Sequence, residues 1–350
     1  MLFLSFNLKN IILDKSKIEQ FFSKVESSSN LVIVMHKNPD GDCMGAALAL
    51  KVLFQKLGVN PIVISPNNFP SFLSWMPLSD EILIASKEKE KAKLAIAEAD
   101  TIISVDFNAF HRAGSDLENP LLESEAYKII IDHHIEPEKY FDLYFSTTQT
   151  SSTSELIFDI IENSQYFSHF NKEMAECIYV GIMTDTGSFS YACNNSSTYK
   201  SVAKLMEFGV DGEAIHRLVY DNYSFDRMRL LGHSLYNKLV VMPEYHASYI
   251  WLSKEDLKNH KFQTGDAEGI VNYGLSIQGI NFTALFTERE DVIRISLRSK
   301  GDFDVNKFAR KHFSGGGHIN ASGADSHLTL EETLQKFENA LKEYKNDLNF

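Results

Sequence analysis

Short, almost continuous apolar runs alternate with longer segments of helical periodicity through the first half of the chain. The runs are four or five residues long, which is the length of a strand rather than of a helix. Strands that are apolar on both faces are typical of a parallel sheet covered by helices on both sides. We therefore predict an α/β fold with strands at Leu31–Met35, Pro61–Ser65, Thr101–Val105 and Lys128–Ile131.

Apolar residues recur at helical spacing between and after these strands. The helix after the first strand is expected to run from Met44 to Leu57, with Asp42 as its cap. Ser152 and Glu155 have the spacing of a capping box and predict another helix start. Further helices are predicted at residues 15–28, Lys87–Ala99, Asn171–Ile182, Ser196–Phe208, Gly212–Tyr220 and Phe225–Lys238.

The hydrophobic pattern changes after residue 238, where apolar and polar residues alternate as they do in half-exposed strands. A helix at Val305–His312 and a glycine loop over residues 314–318 follow these strands. The pattern predicts a smaller C-terminal α/β domain with a mixed sheet. Its alternating strands are predicted at Leu239–Met242, Ala247–Leu252, Asn281–Thr287 and Val292–Ser299.

The length of the chain indicates more than one domain. At 350 residues it exceeds the size at which a single hydrophobic core usually stops growing. We predict an N-terminal domain over residues 1–222, a helical linker over 223–238 and a C-terminal domain over 239–350.

The net charge and the cysteine content limit the binding partners and the cellular compartment that can be expected. The formal net charge is −13, and no stripe of lysine and arginine is present. Proteins that bind long nucleic acids present a basic face, so we expect a small phosphate-bearing partner instead. Three widely spaced cysteines without a Cys-x-x-Cys pair indicate a reducing, cytoplasmic setting. The apolar N-terminus lacks the basic region of a signal peptide and is too short to span a membrane, so no membrane association is expected.

Acidic and histidine residues follow three of the four N-terminal strands directly. The carboxyl ends of parallel strands meet at one edge of a sheet, where ligands bind in open α/β folds. Carboxylates held close together repel one another unless a cation balances their charge. We therefore predict a metal cluster built from residues at these strand ends, namely His36, Asp40, Asp42, Asp106, Asp132, His133 and His134.

Some of these residues also have an ordinary structural interpretation. Pro39, Asp40 and Gly41 are good turn residues, and His36 beside them can be incidental. Asp185, in a turn rich in threonine, glycine and serine, would taken alone be interpreted as a turn or cap residue.

The ordered set of motifs resembles the DHH phosphoesterase family. The resemblance rests on His36-x3-Asp40-x-Asp42, Asp106 after a strand, Asp132-His133-His134, and Asp185 before a Thr-Gly-Ser turn. Later in the chain, Ile295-Ser-Leu-Arg-Ser299 and Gly315-Gly-Gly-His318 resemble the DHH-associated domain. The two domains in this order are most similar to the NrnA-type members, which are oligoribonucleases and pAp phosphatases. Widely spaced motifs in a fixed order are far more specific than any one motif.

The resemblance implies two divalent cations, usually Mn²⁺. Mixed imidazole and carboxylate ligation also permits Co²⁺, whereas Mg²⁺ prefers oxygen ligands and ranks below manganese. Two adjacent cations activate water and clamp the attacking and leaving oxygens of a phosphoester. The family pattern assigns His36, Asp40 and Asp106 to the first cation. It assigns Asp42, Asp106, His133 and Asp185 to the second, so that Asp106 bridges the two.

The resemblance also suggests catalytic roles near the cations. His134 resembles the histidine that contacts the scissile phosphate or assists the leaving group, and Asp132 orients its neighbours. Arg112 resembles an arginine that binds phosphate with two hydrogen bonds, although a solvated loop arginine is the alternative.

In the C-terminal domain the resemblance suggests substrate contacts. The backbone N–H groups of Gly315, Gly316 and Gly317, with His318 beside them, are expected to cradle a phosphate, although such a loop is often only a flexible turn. Arg298 is expected to bind a terminal phosphate or a base.

Together these features predict a cytoplasmic phosphoesterase, monomeric or homodimeric, with its active site in the cleft between two domains. It would release mononucleotides from very short RNA oligonucleotides and remove the 3′-phosphate of pAp. The alternative within the class is a phosphodiesterase acting on cyclic dinucleotides or on linear pApA or pGpG. The alternative outside the class is a metal-free nucleotide-binding regulatory protein.

Overall fold

The computed structural model describes residues 14–191 and 193–349 of the chain. Two compact units can be distinguished, Met1–Asn222 and Tyr223–Phe350. The expectation that the N-terminus is not a signal peptide concerns residues 1–13, which lie outside the described part. None of the helices within the described part is long and apolar enough to cross a membrane.

The first unit contains a six-stranded sheet in which all strands are parallel. The apolar runs form its central strands because burial on both faces favours continuous apolar sequence. In spatial order the strands are β3 (Leu83–Ile84), β2 (Ile62–Ser65), β1 (Leu31–Val34), β4 (Thr101–Val105), β5 (Tyr127–Asp132) and β6 (Leu143–Ser146).

The order of the strands explains why their ends meet. Consecutive strands run outward from β1 on one side and from β4 on the other, so the order reverses between these two. Val34 pairs with Ser104, and Val105 pairs with Ile131, which places the carboxyl ends of β1, β4 and β5 side by side. Such a switch point is where open α/β sheets bind ligands.

Helices cover this sheet. One of them, α2, is buried from Gly41 to Phe54 because it packs against other helices as well as the sheet. The helices are α1 (Lys15–Ser27), α2 (Gly41–Lys56), α3 (Lys89–Glu98), α4 (Ser115–Glu123), α5 (Thr153–Glu162), α6 (Lys172–Asp185), α7 (Ser196–Glu207) and α8 (Gly212–Tyr220).

The second unit contains a mixed six-stranded sheet, in which only β8 and β9 run parallel. An aromatic core that includes Phe282, Phe286, Phe308 and Phe337 packs against it. In spatial order the strands are β11 (Ser314–Gly317), β12 (Ala321–Ser326), β10 (Ile293–Ser299), β9 (Phe282–Glu288), β8 (Ala247–Leu252) and β7 (Leu239–Met242). The helices are α9 (Phe225–Asn237), α10 (Lys254–Asn259), α11 (Asn272–Leu275), α12 (Val305–His312) and α13 (Leu330–Leu341).

These sheets confirm the predicted fold class, a parallel N-terminal sheet covered by helices and a smaller C-terminal α/β part. The helix predicted as a linker, Phe225–Asn237, lies in the second unit and packs against β7 and β8. Its role as a linker, and the three-part division of the chain, stay predictions.

Three local expectations were wrong. The cap of α2 is Asp40 rather than Asp42, because the helix begins at Gly41, three residues earlier than predicted. The glycine loop at 314–317 is an edge strand, since its residues pair with those of β12. Strands β3, β6 and β12 were missed: β3 has only two residues, β6 is a short, half-exposed edge strand, and β12 consists of small and polar residues.

Candidate metal centre

The carboxyl ends of β1, β4 and β5 bring histidine and carboxylate side chains into contact in the first unit. Nε2 of His36 lies 3.4 Å from Oδ2 of Asp106 and 3.9 Å from Oδ1 of Asp40. Nε2 of His133 lies 3.5 Å from the other Asp106 oxygen, Oδ1. Asp106 therefore presents one oxygen to each histidine.

Two further aspartates complete the group around His133. Oδ2 of Asp185, the last residue of α6, lies 3.5 Å from Nε2 of His133. Oδ2 of Asp42, in the first turn of α2, lies 3.8 Å from the same nitrogen. The structure thus brings the six predicted ligands together, although their role in holding cations stays a proposal.

The spacing of these donor atoms fits divalent cations. At a metal–ligand distance of about 2.1 Å, neighbouring ligands lie about 3.0 Å apart in an octahedron and about 3.4 Å apart in a tetrahedron. The separations at His36 and His133 run from 3.4 to 3.9 Å, so small rotations of the side chains would close them around an ion.

Electrostatics also favour bound positive charge. Burial, together with the nearby charges of Asp106 and Asp185, raises the pKa of Asp42 well above its usual range. Burial and the charge of Asp106 raise the pKa of Asp132 to about 7. Without a cation, these carboxyl groups therefore do not all ionise readily. Bound divalent cations would stabilise their ionised forms.

Asp106 differs from these aspartates because two histidines lie beside it. Burial acts to raise the pKa of Asp106, but a hydrogen bond from His36 and the charges of His133 and His36 outweigh it and lower the pKa to about 2. Burial likewise acts to lower the pKa of His36, but the neighbouring Cys43 and Asp106 raise it well above its usual range. The carboxylate is thus held ionised between two imidazoles.

The backbone at Asp106 is itself unusual. Its φ is +64°, in the left-handed region that a non-glycine residue seldom adopts. Such a conformation costs of the order of 1–3 kcal/mol and is typically found where function requires it. Here it turns the chain directly after β4, while the Asp106 N–H still donates to the carbonyl of Ile131.

The N-terminus of α5 fixes two of the carboxylates. The N–H groups of Thr153 and Ser154 donate to the two oxygens of Asp42, at 2.7 and 2.8 Å. The Thr153 hydroxyl donates to Oδ1 of Asp106 at 2.8 Å. The partial positive charge of a helix N-terminus stabilises anions of this kind. Neither Thr153 nor Ser154 was among the predicted site residues. Their only local signal was the run of serine and threonine before a helix.

Glycines at the contact between α2 and α6 allow the two helices to approach closely. A Cβ atom added at Gly45 would lie 2.3 Å from the carbonyl oxygen of Cys177. One added at Gly181 would lie 1.9 Å from Oγ of Ser154 and 2.8 Å from Oδ1 of Asp42. Since Asp42 is on α2 and Asp185 on α6, this approach is what brings the two carboxylates to one place.

The residues with predicted catalytic roles lie beside the cluster. Asp132 accepts hydrogen bonds from the His134 ring at Nδ1, 2.7 Å away, and from the His134 backbone N–H. Arg112 is half-buried, and its charge is among the influences that lower the pKa of Asp132. The Arg112 carbonyl accepts a hydrogen bond from the Lys37 N–H, which ties the loops after β1 and β4 together.

The predicted substrate contacts of the C-terminal domain lie in the second unit. Arg298 is on β10, and its guanidinium donates to the carbonyl of Leu297. Gly315 is required by packing, since a Cβ there would lie 2.2 Å from the carbonyl oxygen of Gly323. The N–H of Gly317 donates to Oδ1 of Asn306, and that of His318 to the carbonyl of Ala321. The N–H groups of Gly317 and His318 therefore have hydrogen-bond partners within the protein and do not require a phosphate to satisfy them. Its role as a cradle stays a prediction.

Family models cover most of the chain. Residues 30–182 match the DHH family, N-terminal domain, and residues 244–347 match the DHHA1 domain. The first match contains the whole predicted ligand set except Asp185.

Individual relatives align over nearly the full chain. The chain is 42% identical to an exopolyphosphatase-related protein from Bacteroides fragilis of known crystal structure, with a TM-score of 0.90 over 96% of this chain and 98% of that one. It is 28% identical to a probable bifunctional oligoribonuclease and PAP phosphatase NrnA from Streptococcus mutans, over 91% of this chain and 97% of that protein. It is 26% identical to the cyclic-di-AMP phosphodiesterase GdpP of Bacillus subtilis, over 91% of this chain but 48% of that protein.

Proposed function

Since this chain belongs to the DHH family of phosphoesterases and carries a DHHA1 domain, we propose that it hydrolyses very short oligoribonucleotides to mononucleotides and converts pAp to AMP. The NrnA relative, which is named for both activities, supports this substrate class. We further propose that the reaction depends on two divalent cations, most often Mn²⁺.

The observation that carries the proposal is the position of Asp106 between two histidines. Its oxygens lie 3.4 Å from His36 and 3.5 Å from His133, the arrangement required of a carboxylate that bridges two ions. His36, Asp40 and Asp106 would hold the first cation, and Asp42, Asp106, His133 and Asp185 the second. Bound there, the cations would supply charge stabilisation for a phosphoryl group and acidify water.

The surrounding residues hold this set in place. Thr153 and Ser154 orient Asp42 and Asp106 through hydrogen bonds from the start of α5. Such supporting bonds affect metal affinity and activity by about 10- to 100-fold in metalloenzymes generally. The proposed centre therefore depends on α5 as well as on the ligands.

His134 and Arg112 are the groups we expect to act on the substrate. Because Nδ1 of His134 faces Asp132, its Nε2 is the atom that would donate a proton or hydrogen bond to a phosphate or leaving oxygen. The planar guanidinium of Arg112 can make two parallel hydrogen bonds to the same phosphate. Asp132 would act as a positioning residue for His134.

The second unit is proposed to select the substrate. Arg298, Gly315, Gly316, Gly317 and His318 are the residues through which it would hold one end of a short oligonucleotide. The net charge of −13 supports a short-range contact of this kind, since a long polyanion would be repelled.

Turnover of pApA, a five-nucleotide RNA, pAp and cyclic di-AMP, compared side by side with Mn²⁺, tests the proposal. We expect mononucleotide release from pApA and the RNA, AMP from pAp, and loss of all three activities in Asp106→Ala. Asp116→Ala, which removes an exposed aspartate of the same unit, should leave them unchanged.

Two outcomes would contradict the proposal. An active Asp106→Ala protein would refute the bridging role. Preferred turnover of cyclic di-AMP would favour the alternative activity, which the similarity to GdpP also supports.

A further inference from the structure

The thiol of Cys43 lies at the edge of the centre but belongs to neither proposed ligand set. Its sulfur, a ring nitrogen of His36 and a carboxylate oxygen of Asp106 all lie within 4.8 Å of one another, and all three residues are buried. Cys43 has no disulfide partner. It is thus a further potential ligand beside His36, Asp40 and Asp106, the residues proposed to hold the first cation.

The backbone around Cys43 fixes the direction of its side chain. Cys43 is in the first turn of α2, and its N–H donates to Oδ1 of Asp40, the residue that caps the helix. The sulfur lies 3.6 Å from the carbonyl oxygen of Val105, the residue directly before Asp106. The thiol therefore faces the end of β4, on the side where His36 and Asp106 meet.

The distances suit a shared ion. A cation bound to nitrogen or oxygen at about 2.1 Å and to sulfur at about 2.3 Å can join donor atoms up to about 4.4 Å apart. The three donor atoms, all within 4.8 Å of one another, lie close to this range.

We propose that Cys43 is a further ligand of the cation held by His36, Asp40 and Asp106, an inference that rests on the proposed two-cation function. On binding, the thiol proton is released to solvent and a sulfur lone pair forms the bond to the cation. Sulfur ligands select softer ions than carboxylates do. The first position therefore favours Fe²⁺, Co²⁺ or Zn²⁺ over Mn²⁺, whereas the second, with three carboxylates and one imidazole, keeps a preference for Mn²⁺.

Absorption spectroscopy of the full chain loaded with Co²⁺ tests this assignment without measuring activity. The metal-free wild-type protein is titrated with Co²⁺, and the visible d–d bands report binding at either position. A thiolate ligand adds a sulfur-to-cobalt charge-transfer band in the near ultraviolet. We expect that band in the wild type, its loss in Cys43→Ser, and its retention in Cys193→Ser, which changes another buried thiol.

Proton release and affinity give a second measurement. In weakly buffered solution, filling the first position should release one proton more from the wild type than from Cys43→Ser. The variant should also bind the tighter Co²⁺ ion about tenfold more weakly or worse, with little change for Mn²⁺ at the second position.

The outcomes separate this inference from the proposed function. Visible Co²⁺ bands without a charge-transfer band in the wild type overturn the role of Cys43 and leave the two-cation centre standing, whether or not the variant folds. A charge-transfer band that persists in Cys43→Ser also overturns it. Absence of any Co²⁺ or Mn²⁺ binding refutes the proposed function itself.

Discussion

Replacing Gly181 with alanine should disrupt the centre without removing any of its ligands. The new Cβ atom would lie 1.9 Å from Oγ of Ser154, 2.5 Å from its Cβ and 2.8 Å from Oδ1 of Asp42. Carbon atoms in contact normally lie about 3.5–4.0 Å apart, so the start of α5 or the Asp42 side chain must move. Either movement strains the hydrogen bond from the Ser154 N–H to Asp42, which is 2.8 Å long.

The size of the effect follows from three contributions. Overpacking of a well-packed interior costs about 1–3 kcal/mol. Weakening a hydrogen bond to a charged group costs about 1.5–3 kcal/mol. Alanine gains about 1 kcal/mol over glycine in a helix interior. We therefore expect the free energy of unfolding of the first unit to fall by about 1.5–5 kcal/mol.

Urea denaturation measures this change, with each unit followed by its own tryptophan. Trp75 lies in the first unit and Trp251 in the second, so fluorescence of Trp75 in a Trp251→Phe background reports the first unit alone. The matched control is Gly232→Ala, read from Trp251 in a Trp75→Phe background. Gly232 also lies inside a helix, but a Cβ there meets no atom within 4 Å. This control should be neutral or stabilise the second unit by up to about 1 kcal/mol.

Metal binding provides the functional readout of the same variant. Since Asp42 and Asp185 are brought together by the contact between α2 and α6, Gly181→Ala should also bind Mn²⁺ more weakly in calorimetry. A Gly181→Ala protein with the wild-type urea midpoint and the wild-type Mn²⁺ affinity would refute the reasoning.

Three further predictions concern other parts of the molecule. Thr153→Val removes the hydroxyl that donates to Asp106 but keeps the N–H that donates to Asp42. The Mn²⁺ affinity measured by calorimetry and the turnover of pApA should therefore fall about 10-fold or more. Values equal to those of the wild type would contradict the supporting role of α5. Chelation of metal should abolish pApA turnover and lower the urea midpoint of the first unit, and added Mn²⁺ should restore both, because a ligand that binds only the folded state stabilises it. In the second unit, burial acts to raise the pKa of Asp256, but hydrogen bonds from Lys238, Ser253 and His233 lower it to about 2. A carboxylate whose pKa is lower in the folded state than in the unfolded state stabilises the protein at pH values above the unfolded-state pKa. That stability is lost as the pH falls through the folded-state pKa. Trp251 fluorescence should therefore show the second unit losing stability between about pH 4 and pH 2, with a weaker pH dependence in Asp256→Asn.

Much of the first unit could be predicted from the sequence. The four apolar runs became the four central strands of a parallel sheet, because a strand buried on both faces must be apolar throughout. The same pattern showed where those strands end, and so which acidic and histidine residues share an edge. His36, Asp106 and His133 could be grouped on this ground alone.

Other features had no local signal. Ala321–Ser326 contains small and polar residues and forms a strand only because β10 and β11 pair with it on either side. The predicted phosphate-binding role of Gly315 stays a prediction, but the close approach of β12 gives a packing reason for glycine there that the sequence did not show. In both cases contacts with residues distant in sequence outweigh the preference of the segment itself.

The sequence alone thus determined which residues are available as ligands and catalytic groups. It also determined that three strands end beside these residues, at one edge of a sheet. The spacing of apolar residues reflects how deeply each segment is buried, and this spacing can be seen within a short stretch of sequence. Only the tertiary structure decided that Asp185 at the end of α6 joins His133, that Thr153 and Ser154 hold Asp42 and Asp106, and that glycines let α2 approach α6. Those contacts join residues that are distant in the sequence, such as Asp42 and Ser154, which are 112 positions apart. They depend on packing between helices that no single segment encodes.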